Sequence, residues 1–529
     1  MNMKKTISLL LGGMMATASL SAFGACTKED SASTLYVEIS NAGFGITWID
    51  PLIEIFEARH PEITVKKSYM TKKDNEMIAK VTSMSTDLDI IFPEDSGSIR
   101  HTYEANVDNI FAELTDIYEA KIPGEERTLG DKMNDQFYDY FTTVRDDGTK
   151  RHYMTPWMQS PLGIIMNRDV YTDKYKQKYG AFPNTTEEFF AFCDELKNSG
   201  VVPMIHSLSD SYWASIWDVW MYQYNGQKEM DSWYKGYCLY GEAKGQRYVP
   251  EMFDDEGMYE AMCVWENILK PENGWQHEDC NSLDFTQVQN LFLEDYSDTT
   301  TPEIAMMPTG AWLEREMEAN FSPDELNNEF VRLPVISALG TKLGITDGVL
   351  SDIIDYVDGE ATALPSFTST KGLTNEEVVA RVTEARNMNP GYRGYSAFIP
   401  AYSNHLALAK EFLQLMASDE GIEAMLKECG SMAAYEYDIV NSPVKDELSD
   451  FMYSVNVRAQ EGYCFSTKDR LFTNGGLQYF NGIGGSVGAF FAAKNIKDRK
   501  TVDEIMDMNY NYVSSMWPTY LSNAGITLG

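Results

Sequence analysis

Positive charge is scarce in this sequence of 529 residues. Lys and Arg total 43 whereas Asp and Glu total 80, which gives a formal net charge of −37. A chain with this charge repels the phosphate backbone of nucleic acids and anionic lipid headgroups. We therefore expect no nucleic-acid partner and no polyanionic ligand, whereas the charge says little about a neutral ligand.

Long hydrophobic runs are also missing, apart from one at the N-terminus. Lys4 and Lys5 precede an apolar run from Ile7 to Leu20. That run is too short and too interrupted by glycine to span a bilayer comfortably, which is typical of a signal peptide. No second run approaches membrane-spanning length, so we expect a folded body that does not cross the membrane.

The apolar run ends in Phe23-Gly24-Ala25-Cys26. Small residues directly before a cysteine resemble the lipobox at which bacterial prolipoproteins are lipidated and then cleaved. We expect residues 1–25 to be removed, Cys26 to carry lipid, and residues 26–33 to tether the body to the outer face of the cytoplasmic membrane. Ordinary signal cleavage, with Cys26 incidental, is the alternative.

Cysteine and histidine are sparse and ungrouped. The six cysteines beyond Cys26 include no CxxC pair, so a disulfide scaffold is not expected; one or two disulfides and free buried thiols both stay open. The six histidines form neither an HExxH motif nor a closely spaced pair. We therefore expect no metal and no cofactor. The cysteines stand at positions 193, 238, 263, 280, 429 and 464.

What the sequence does contain is a strand and helix alternation that begins at residue 35. Residues 35–39 and 63–67 alternate as strands, residues 49–59 have helical spacing, and Asp50-Pro51 is a helix start. A helix over 75–84 and an apolar strand over 88–92 complete a β-α-β-α-β unit. Such a unit predicts a parallel sheet.

A second unit of the same kind begins near residue 162. A strand over 163–166, a helix over 183–196 and a strand over 201–205 predict another sheet, with Thr185 and Glu188 at capping-box spacing. The chain is expected to pass between the two sheets near residues 153–161. Later segments repeat the theme: strands over 303–307, 332–335 and 397–400, and helices over 311–317, 374–386 and 405–417.

Six segments together resemble the extracellular solute-binding proteins of ABC importers, the carbohydrate-binding family typified by maltose-binding protein. The resemblance covers most of residues 35–430, and the Ala-Met…Gly-x-Trp pattern is its strongest element. The segments are GFGITWIDPLIEIFEARHPEITVK, DLDIIFPEDSG, YMTPWMQSPLGIIMNRDVY, FPNTTEEF, IAMMPTGAWLEREME and FIPAYSNHLALAKEFLQLMASDEGIEAML.

The resemblance implies an α/β, two-lobed, type II periplasmic-binding-protein-like fold. Each lobe is expected to be a doubly wound sheet, with a hinge between the lobes. Lobe one would comprise residues 34–156 plus 336–418, and lobe two residues 157–335 plus 419–529. The function that the resemblance implies is capture of a carbohydrate, expected to be an oligosaccharide, and its delivery by a monomeric lipoprotein to an ABC permease.

Ligands of open parallel sheets bind outside the carboxyl ends of the strands, so the loops after each strand supply the candidate residues. Aromatic rings can stack on the C–H faces of a sugar, and polar side chains can pair with its hydroxyls. In the family, the tryptophan that matches Trp312 stacks on sugar. The candidates are Asn41, Phe44, Glu94, Asp95, Trp157, Gln159, Asp210, Tyr212, Trp312 and Tyr395.

Some of these features have simpler interpretations. Trp213, Trp217 and Trp220 fall at helical spacing and are expected in the core rather than against ligand. Glu94 and Asp95 are equally well read as exposed loop carboxylates.

Enzymatic alternatives find less support. Gly484-Gly485-Ser486-Val487-Gly488 matches GxSxG, but a hydrolase elbow needs a preceding strand and a later histidine, and the last histidine is His405. We expect no catalytic residue, although 80 acidic residues leave a paired-carboxylate glycosidase open. An oligopeptide-binding lipoprotein is the main alternative within transport, and an adhesive surface lipoprotein is a third class.

Overall fold

The computed structural model describes most of the chain from residue 33 onward. The described ranges are 33–41, 43–70, 74–93, 110–133, 135–145, 147–158, 160–207, 212–294, 302–323, 326–388, 391–392, 395–430, 434–462, 469–480, 483 and 486–527. Within them, no helix combines the length and apolar character needed to cross a bilayer.

The strands form two main sheets and a short hairpin. Their bounds are β1 Thr34–Ser40, β2 Thr64–Met70, β3 Ile90–Phe92, β4 Thr142–Val144, β5 Lys150–His152, β6 Met154–Pro156, β7 Ser160–Asn167, β8 Val202–Met204, β9 Ile304–Gly310, β10 Asn328–Val331, β11 Gly391–Tyr392 and β12 Ser396–Phe398.

The first sheet has the order β2-β1-β3-β12-β6. β1 pairs in parallel with both β2 and β3, which confirms the predicted β-α-β-α-β unit. Leu35, Val37 and Ile39 are fully buried in β1, and so is the whole of β3. β12, from late in the chain, pairs antiparallel with β3, and β6 pairs antiparallel with β12.

The second sheet has the order β10-β7-β9-β8, with β11 paired to the start of β7. β8 runs parallel to β9, whereas β7 is antiparallel to β9 and β10. β9 is buried along its whole length, as expected of a central strand with the apolar sequence IAMMPTG.

The strand predicted over 332–335 lies earlier in the chain, as β10 at Asn328–Val331. Pro334 has no backbone N–H to donate to a sheet, which limits pairing there. Only Val335 forms a bridge, with Thr185, and its N–H donates to the carbonyl of Asn184 at 2.8 Å.

Helices occupy the intervals that the sequence predicts, and additional helices lie between and beyond them along the described chain. Their bounds are α1 Asp50–Arg59, α2 Asp74–Thr82, α3 Thr115–Glu119, α4 Leu129–Lys132, α5 Asp135–Phe141, α6 Asp173–Tyr179, α7 Thr186–Asn198, α8 Asp218–Asn225, α9 Gln227–Trp233, α10 Glu256–Leu269, α11 Phe285–Leu293, α12 Leu313–Met317, α13 Ala338–Leu343, α14 Asp347–Val357, α15 Asn375–Arg386, α16 Leu406–Ala417, α17 Asp419–Cys429, α18 Asp450–Glu461, α19 Arg470–Thr473, α20 Ser486–Phe491 and α21 Val502–Asn523.

Two predicted helix caps can be compared directly. Thr374 and Glu377 form the full capping box at the start of α15. Thr185 caps α7 by accepting from the N–H of Glu188, but the Glu188 carboxylate accepts from the N–H of Asn184 instead of from Thr185. The second cap is therefore only half of a capping box.

Packing contacts show how the later helices are distributed. α13 and α15 pack against α8, whereas α17 packs against α1. The buried ammonium of Lys132 pairs with Glu125 at 2.9 Å and with Asp419 at 2.6 Å, which ties the start of α17 to the first-sheet side. These contacts favour counting 338–386 with the second lobe and 419–429 with the first, whereas the predicted boundaries assign them the other way round. The lobe boundaries stay a prediction.

The segment beyond residue 440 packs largely on the second lobe. α18 lies against β10 and β7, and α21 lies against α10. Tyr479 joins a buried cluster in which its hydroxyl pairs with Tyr222 at 3.0 Å and Tyr234 at 2.5 Å, and Tyr222 donates to Asp218 at 2.6 Å. Because Asp218 is buried there, its pKa rises to about 6.

The cysteines and the tryptophan triplet also have clear positions. Among the described residues, Cys193, Cys238, Cys263, Cys280 and Cys429 are free thiols, so the alternative of free cysteines holds for these five. Trp213, Trp217 and Trp220 are almost completely buried, which confirms their assignment to the core.

A glycine at the start of α17 gives a test of this packing. A Cβ on Gly421 would lie 2.0 Å from the carbonyl oxygen of Leu415, and backbone cannot yield cheaply. We expect Gly421→Ala to lower the free energy of unfolding by about 1–3 kcal/mol, measured by thermal and denaturant unfolding.

The matched control is Gly348→Ala, also in the first turn of a helix, where a Cβ meets no atom within 4 Å. It should be neutral or stabilise by up to ~1 kcal/mol. Equal effects of the two substitutions would contradict the packing described for α17.

Candidate functional site

Three loops leave the carboxyl ends of strands that belong to the two main sheets. Residues 41–48 follow β1, residues 205–212 follow β8, and Ala311-Trp312 follow β9. In an open α/β sheet, this edge is where ligands bind. The aromatic side chains of these loops are the starting point for the site.

Two short crossings join the sheets where the loops meet. Trp157 lies between β6 of the first sheet and β7 of the second, and Tyr395 lies between β11 and β12 in the reverse direction. The backbone N–H of Trp157 donates to the carbonyl of Tyr395 at 3.3 Å, and their rings are 5.2 Å apart. The two crossings are therefore bonded to each other.

A continuous chain of ring contacts, the aromatic row, extends from these crossings. It consists of Trp48, Trp157, Tyr395, Phe44, Trp312 and Tyr212. Successive ring centroids are 4.1, 5.2, 5.7, 6.2 and 5.7 Å apart. The first contact is a parallel stack with an interplanar angle of 13°, whereas the three contacts that follow it are edge-on.

Exposure divides the aromatic row into an inner and an outer end. Trp48 is fully buried and stacks on Trp157, which is 2 % exposed, so this end is part of the core. Trp312 is 9 % exposed, and Tyr212 is only partly buried. The outer pair is therefore the part of the row that offers ring surface to a ligand.

Trp312 lies between two glycines, one from each side of the site. A Cβ on Gly43, in the loop after β1, would lie 2.8 Å from Cγ of Trp312. A Cβ on Gly310, the last residue of β9, would lie 2.3 Å from Cη2 of the same ring. Only residues without a side chain allow the indole to occupy this space, which explains the Gly-x-Trp pattern physically.

A polar contact accompanies this aromatic one. Arg315 stands one helical turn after Trp312, on α12, and its guanidinium donates to the hydroxyl of Thr47 in the loop after β1. It also lies 2.5 Å from the Glu318 carboxylate and 3.5 Å from that of Glu428 on α17. The segment that carries Trp312 is thus bonded to first-sheet elements by charge as well as by ring contact.

Unpaired donors lie along the row. Among the described residues, the buried indole N–H groups of Trp48 and Trp157 have no hydrogen-bond partner. Buried donors are normally paired, so these two groups are exceptions at the core end of the row. Ring faces combined with a few polar groups suit a ligand that has both an apolar face and hydroxyls.

Five of the ten sequence candidates come together in the aromatic row: Phe44, Trp157, Tyr212, Trp312 and Tyr395. Asn41 is exposed at the end of β1, where its N–H donates to the carbonyl of Met70 at 2.9 Å. Glu94, Asp95, Gln159 and Asp210 lie outside the described residues, as does the proposed lipidation site Cys26.

Sequence reasoning missed Trp48, Thr47 and Arg315. Trp48 and Thr47 lie in the quoted GFGITWID segment, so their proximity to Phe44 along the chain was a usable signal. Arg315 follows Trp312 at i+3, the spacing of neighbours on one helix face.

His206, two residues beyond β8, was also missed. It is 2 % exposed, and in the described part of the chain neither ring nitrogen has a close hydrogen-bond partner. Because burial disfavours the charged form, the pKa of His206 is lowered to about 4. Groups of three or more metal-ligating side chains are not found among the described residues.

His206 should make the protein sensitive to acid. The folded state keeps the ring neutral down to a pKa of about 4, whereas the unfolded chain protonates it near its usual 6.5. Its contribution to stability is therefore present above pH 6.5 and is lost as the pH falls towards 4, by up to about 3 kcal/mol.

This effect is measured by following unfolding of wild type and His206→Gln from pH 7.5 to pH 4. The variant should lose less stability over this range. Asp218 and Asp255, whose pKa values are raised to about 6, act in the opposite direction but are common to both proteins. Parallel stability curves would contradict the assignment of a neutral buried ring.

Comparisons with known proteins agree with this geometry. A family model described as bacterial extracellular solute-binding protein matches residues 41–423. A comparison with curated protein sequences gives no match. The two-lobed fold recurs in solved structures at 12–15 % sequence identity, a level that shows the fold alone.

Three of these structures illustrate the likeness. The solute-binding protein RafE in complex with raffinose has 14 % identity and a TM-score of 0.53, over 91 % of this chain and 99 % of its own. Maltose-bound MalE3 of T. maritima has 12 % identity and a TM-score of 0.55, over 92 % and 100 %. A chitin oligosaccharide binding protein has 15 % identity and a TM-score of 0.51, over 89 % and 94 %.

Proposed function

We propose that this chain, which belongs to the bacterial extracellular solute-binding protein family, captures a carbohydrate between its lobes for an ABC importer. The observation that carries this proposal is the aromatic row, whose outer pair, Tyr212 and Trp312, stands at the carboxyl ends of second-sheet strands. The first-sheet loop reaches the same place through Phe44.

The chemistry of the row favours a sugar over a peptide. Indole and phenol rings offer flat apolar faces that match the C–H face of a pyranose. Peptide capture depends instead on polar and charged groups that hold the backbone and termini. The RafE complex with raffinose, the maltose-bound MalE3 and the chitin oligosaccharide binding protein support the same class of ligand.

In our proposal the ligand is an oligosaccharide, and Tyr212 and Trp312 supply its stacking surface. Asn41, Glu94, Asp95, Gln159 and Asp210 are proposed to pair with its hydroxyls. No catalytic role is assigned to these carboxylates, because the family and the similar structures are binding proteins.

Binding would be coupled to closure of the two lobes about the crossings at Trp157 and Tyr395. A ligand drives closure only by its greater affinity for the closed state. Contacts from both sides, through Trp312 and Phe44, supply that difference. The closed monomer is then the form that the membrane subunits of the importer recognise.

Removal of the outer aromatic pair tests the site. A thermal-shift screen against mono- and oligosaccharides and peptides first identifies a stabilising ligand, since ligand binding stabilises by mass action. Trp312→Ala and Tyr212→Ala should then each weaken binding at least about tenfold, or about 1.4 kcal/mol, measured by isothermal titration calorimetry.

The control is Tyr356→Ala, on α14, where the tyrosine is 39 % exposed and lies outside the aromatic row. It should bind as the wild type does. Stabilisation by peptides alone would transfer the protein to the oligopeptide-binding class, and release of sugar products from the ligand would overturn the assignment as a binding protein.

The proposed lipid anchor is tested at Cys26. In cells grown with labelled palmitate, the wild type should carry label and sediment with membranes, because a thioether-linked lipid holds it there. Cys26→Ser should be unlabelled and appear in the soluble extracellular fraction.

The matched control is Ser31→Ala, within the tether, which should remain labelled. Equal membrane retention of Cys26→Ser and wild type would show that the N-terminal segment is held in another way.

A further inference from the structure

A second pocket, of about 620 Å³, lies in the second lobe at the C-terminal end of α8. It is bordered by α9, α13, α15 and the segment 237–245. Its volume falls within the range of small-molecule sites in proteins. Tyr212 precedes α8 at its other end, about 12 Å away by helix length, and the pocket shares no lining residue with the aromatic row.

The walls combine apolar and cationic side chains. Tyr237, Leu239, Leu343 and Leu373 contribute apolar surface. The charged lining residues are the cations Lys228, Lys244, Lys342 and Arg381 and the carboxylates Glu229 and Glu377. The lining therefore carries an excess of positive charge, in a chain whose formal net charge is −37.

Lys342 is partly buried, and its hydrogen-bond partners among the described residues are neutral groups. Its ammonium donates to the carbonyl of Tyr224 at 2.9 Å and to the hydroxyl of Tyr240 at 3.0 Å, and it lies 4.1 Å from the Tyr224 ring centroid. Among the described residues, no carboxylate oxygen forms an ion pair with it within 4.0 Å. A partly buried cation that has only neutral partners is costly to desolvate.

Burial dominates the electrostatics of Lys342. Asp255, Glu256 and Glu229 act to raise its pKa, but burial and the neighbouring Arg381 outweigh them and lower it to about 8. Asp255 is itself held by the amide of Asn225 at 2.9 Å. A counter-charge from outside the chain would relieve this imbalance.

Arg381 adds a second, largely buried cation. Its Nη2 donates to the carbonyl of Gln223, and its Nη1 lies 3.3 Å from the Glu384 carboxylate. Glu384 also accepts from the backbone N–H of Gln227, so its charge is shared. Arg381 thus adds a second positive charge beside Lys342, and its one carboxylate partner is shared with the backbone.

We propose that this pocket is a second ligand site, which binds a small molecule carrying one carboxylate or phosphate group on a ring or aliphatic body. The anionic group pairs with Lys342 and Arg381 at the base of the pocket. The body of the ligand contacts the leucines and Tyr237, and Lys244 approaches from the exposed side. The overall negative charge of the chain excludes polyanions but does not oppose a single charge placed among four cations.

The test uses the full mature chain and four probes at constant ionic strength: glucuronate, glucose 6-phosphate, inorganic phosphate and neutral glucose. We expect saturable stabilisation and calorimetric binding with at least one charged sugar. Lys342→Met and Lys244→Ala should each weaken that binding at least fivefold, while Lys427→Met, an exposed lysine on α17, should leave it unchanged.

The comparison of probes also identifies the source of the charge. Preference for glucuronate assigns a carboxylate ligand, and preference for glucose 6-phosphate over inorganic phosphate assigns a phosphorylated one. Lys244 is exposed and its replacement should not affect folding, so the proposal can be tested even if Lys342→Met is unstable.

Three outcomes would overturn the proposal. They are the absence of saturable binding by any anion, unchanged binding in Lys244→Ala and Lys342→Met, and loss of anion binding in Trp312→Ala. The last would place the anion in the site of the aromatic row. Because Trp312→Ala should retain anion binding, failure of this proposal and failure of the carbohydrate proposal give different results.

Discussion

The bond between the two crossings is the contact on which the arrangement of the lobes depends. Each sheet is completed by chain that arrives from the other, and both passages meet where Trp157 donates to the carbonyl of Tyr395. A pair of bonded crossings resists shear between the lobes but permits rotation about the line that joins them. The aromatic row passes through this contact, so the rings that face the ligand are connected by packing to the two crossings.

The two lobes differ in how they are stabilised. The first is a mostly parallel sheet with a mostly exposed edge strand, β2. The second carries additional layers: α13 and α15 pack on α8, and the chain beyond 440 returns to cover β7, β10 and α10. The hydroxyl cluster of Tyr222, Tyr234 and Tyr479 fixes this late segment to the lobe. The second pocket forms where these additions meet α8.

Sequence periodicity predicted the sheets well because burial on both faces leaves an unmistakable apolar run, as in β3 and β9. The strand expected over 332–335 was displaced because pattern alone does not show which residues find a partner strand. The aromatic candidates were found by the rule for strand ends and by resemblance. The contact between Arg315 and Thr47 could not be predicted in this way, since it joins residues far apart in the chain.

The pocket at α8 could not be predicted from the sequence for a related reason. Lys228, Lys244, Lys342 and Arg381 are scattered over more than 150 positions, and a solvated surface is the ordinary interpretation of each. Their convergence depends on how α13 and α15 dock on α8. No local motif encodes that docking.

The free cysteines have a consequence for chemistry in oxidising surroundings. Burial raises the pKa of the Cys193 and Cys238 thiols, and raises that of Cys263 and Cys280 to about 11. The thiolate is the species that attacks disulfides and peroxides, and at neutral pH these four groups supply almost none of it. These four thiols therefore react slowly with oxidants, and the part of the second lobe that the structure describes forms no cross-link between them.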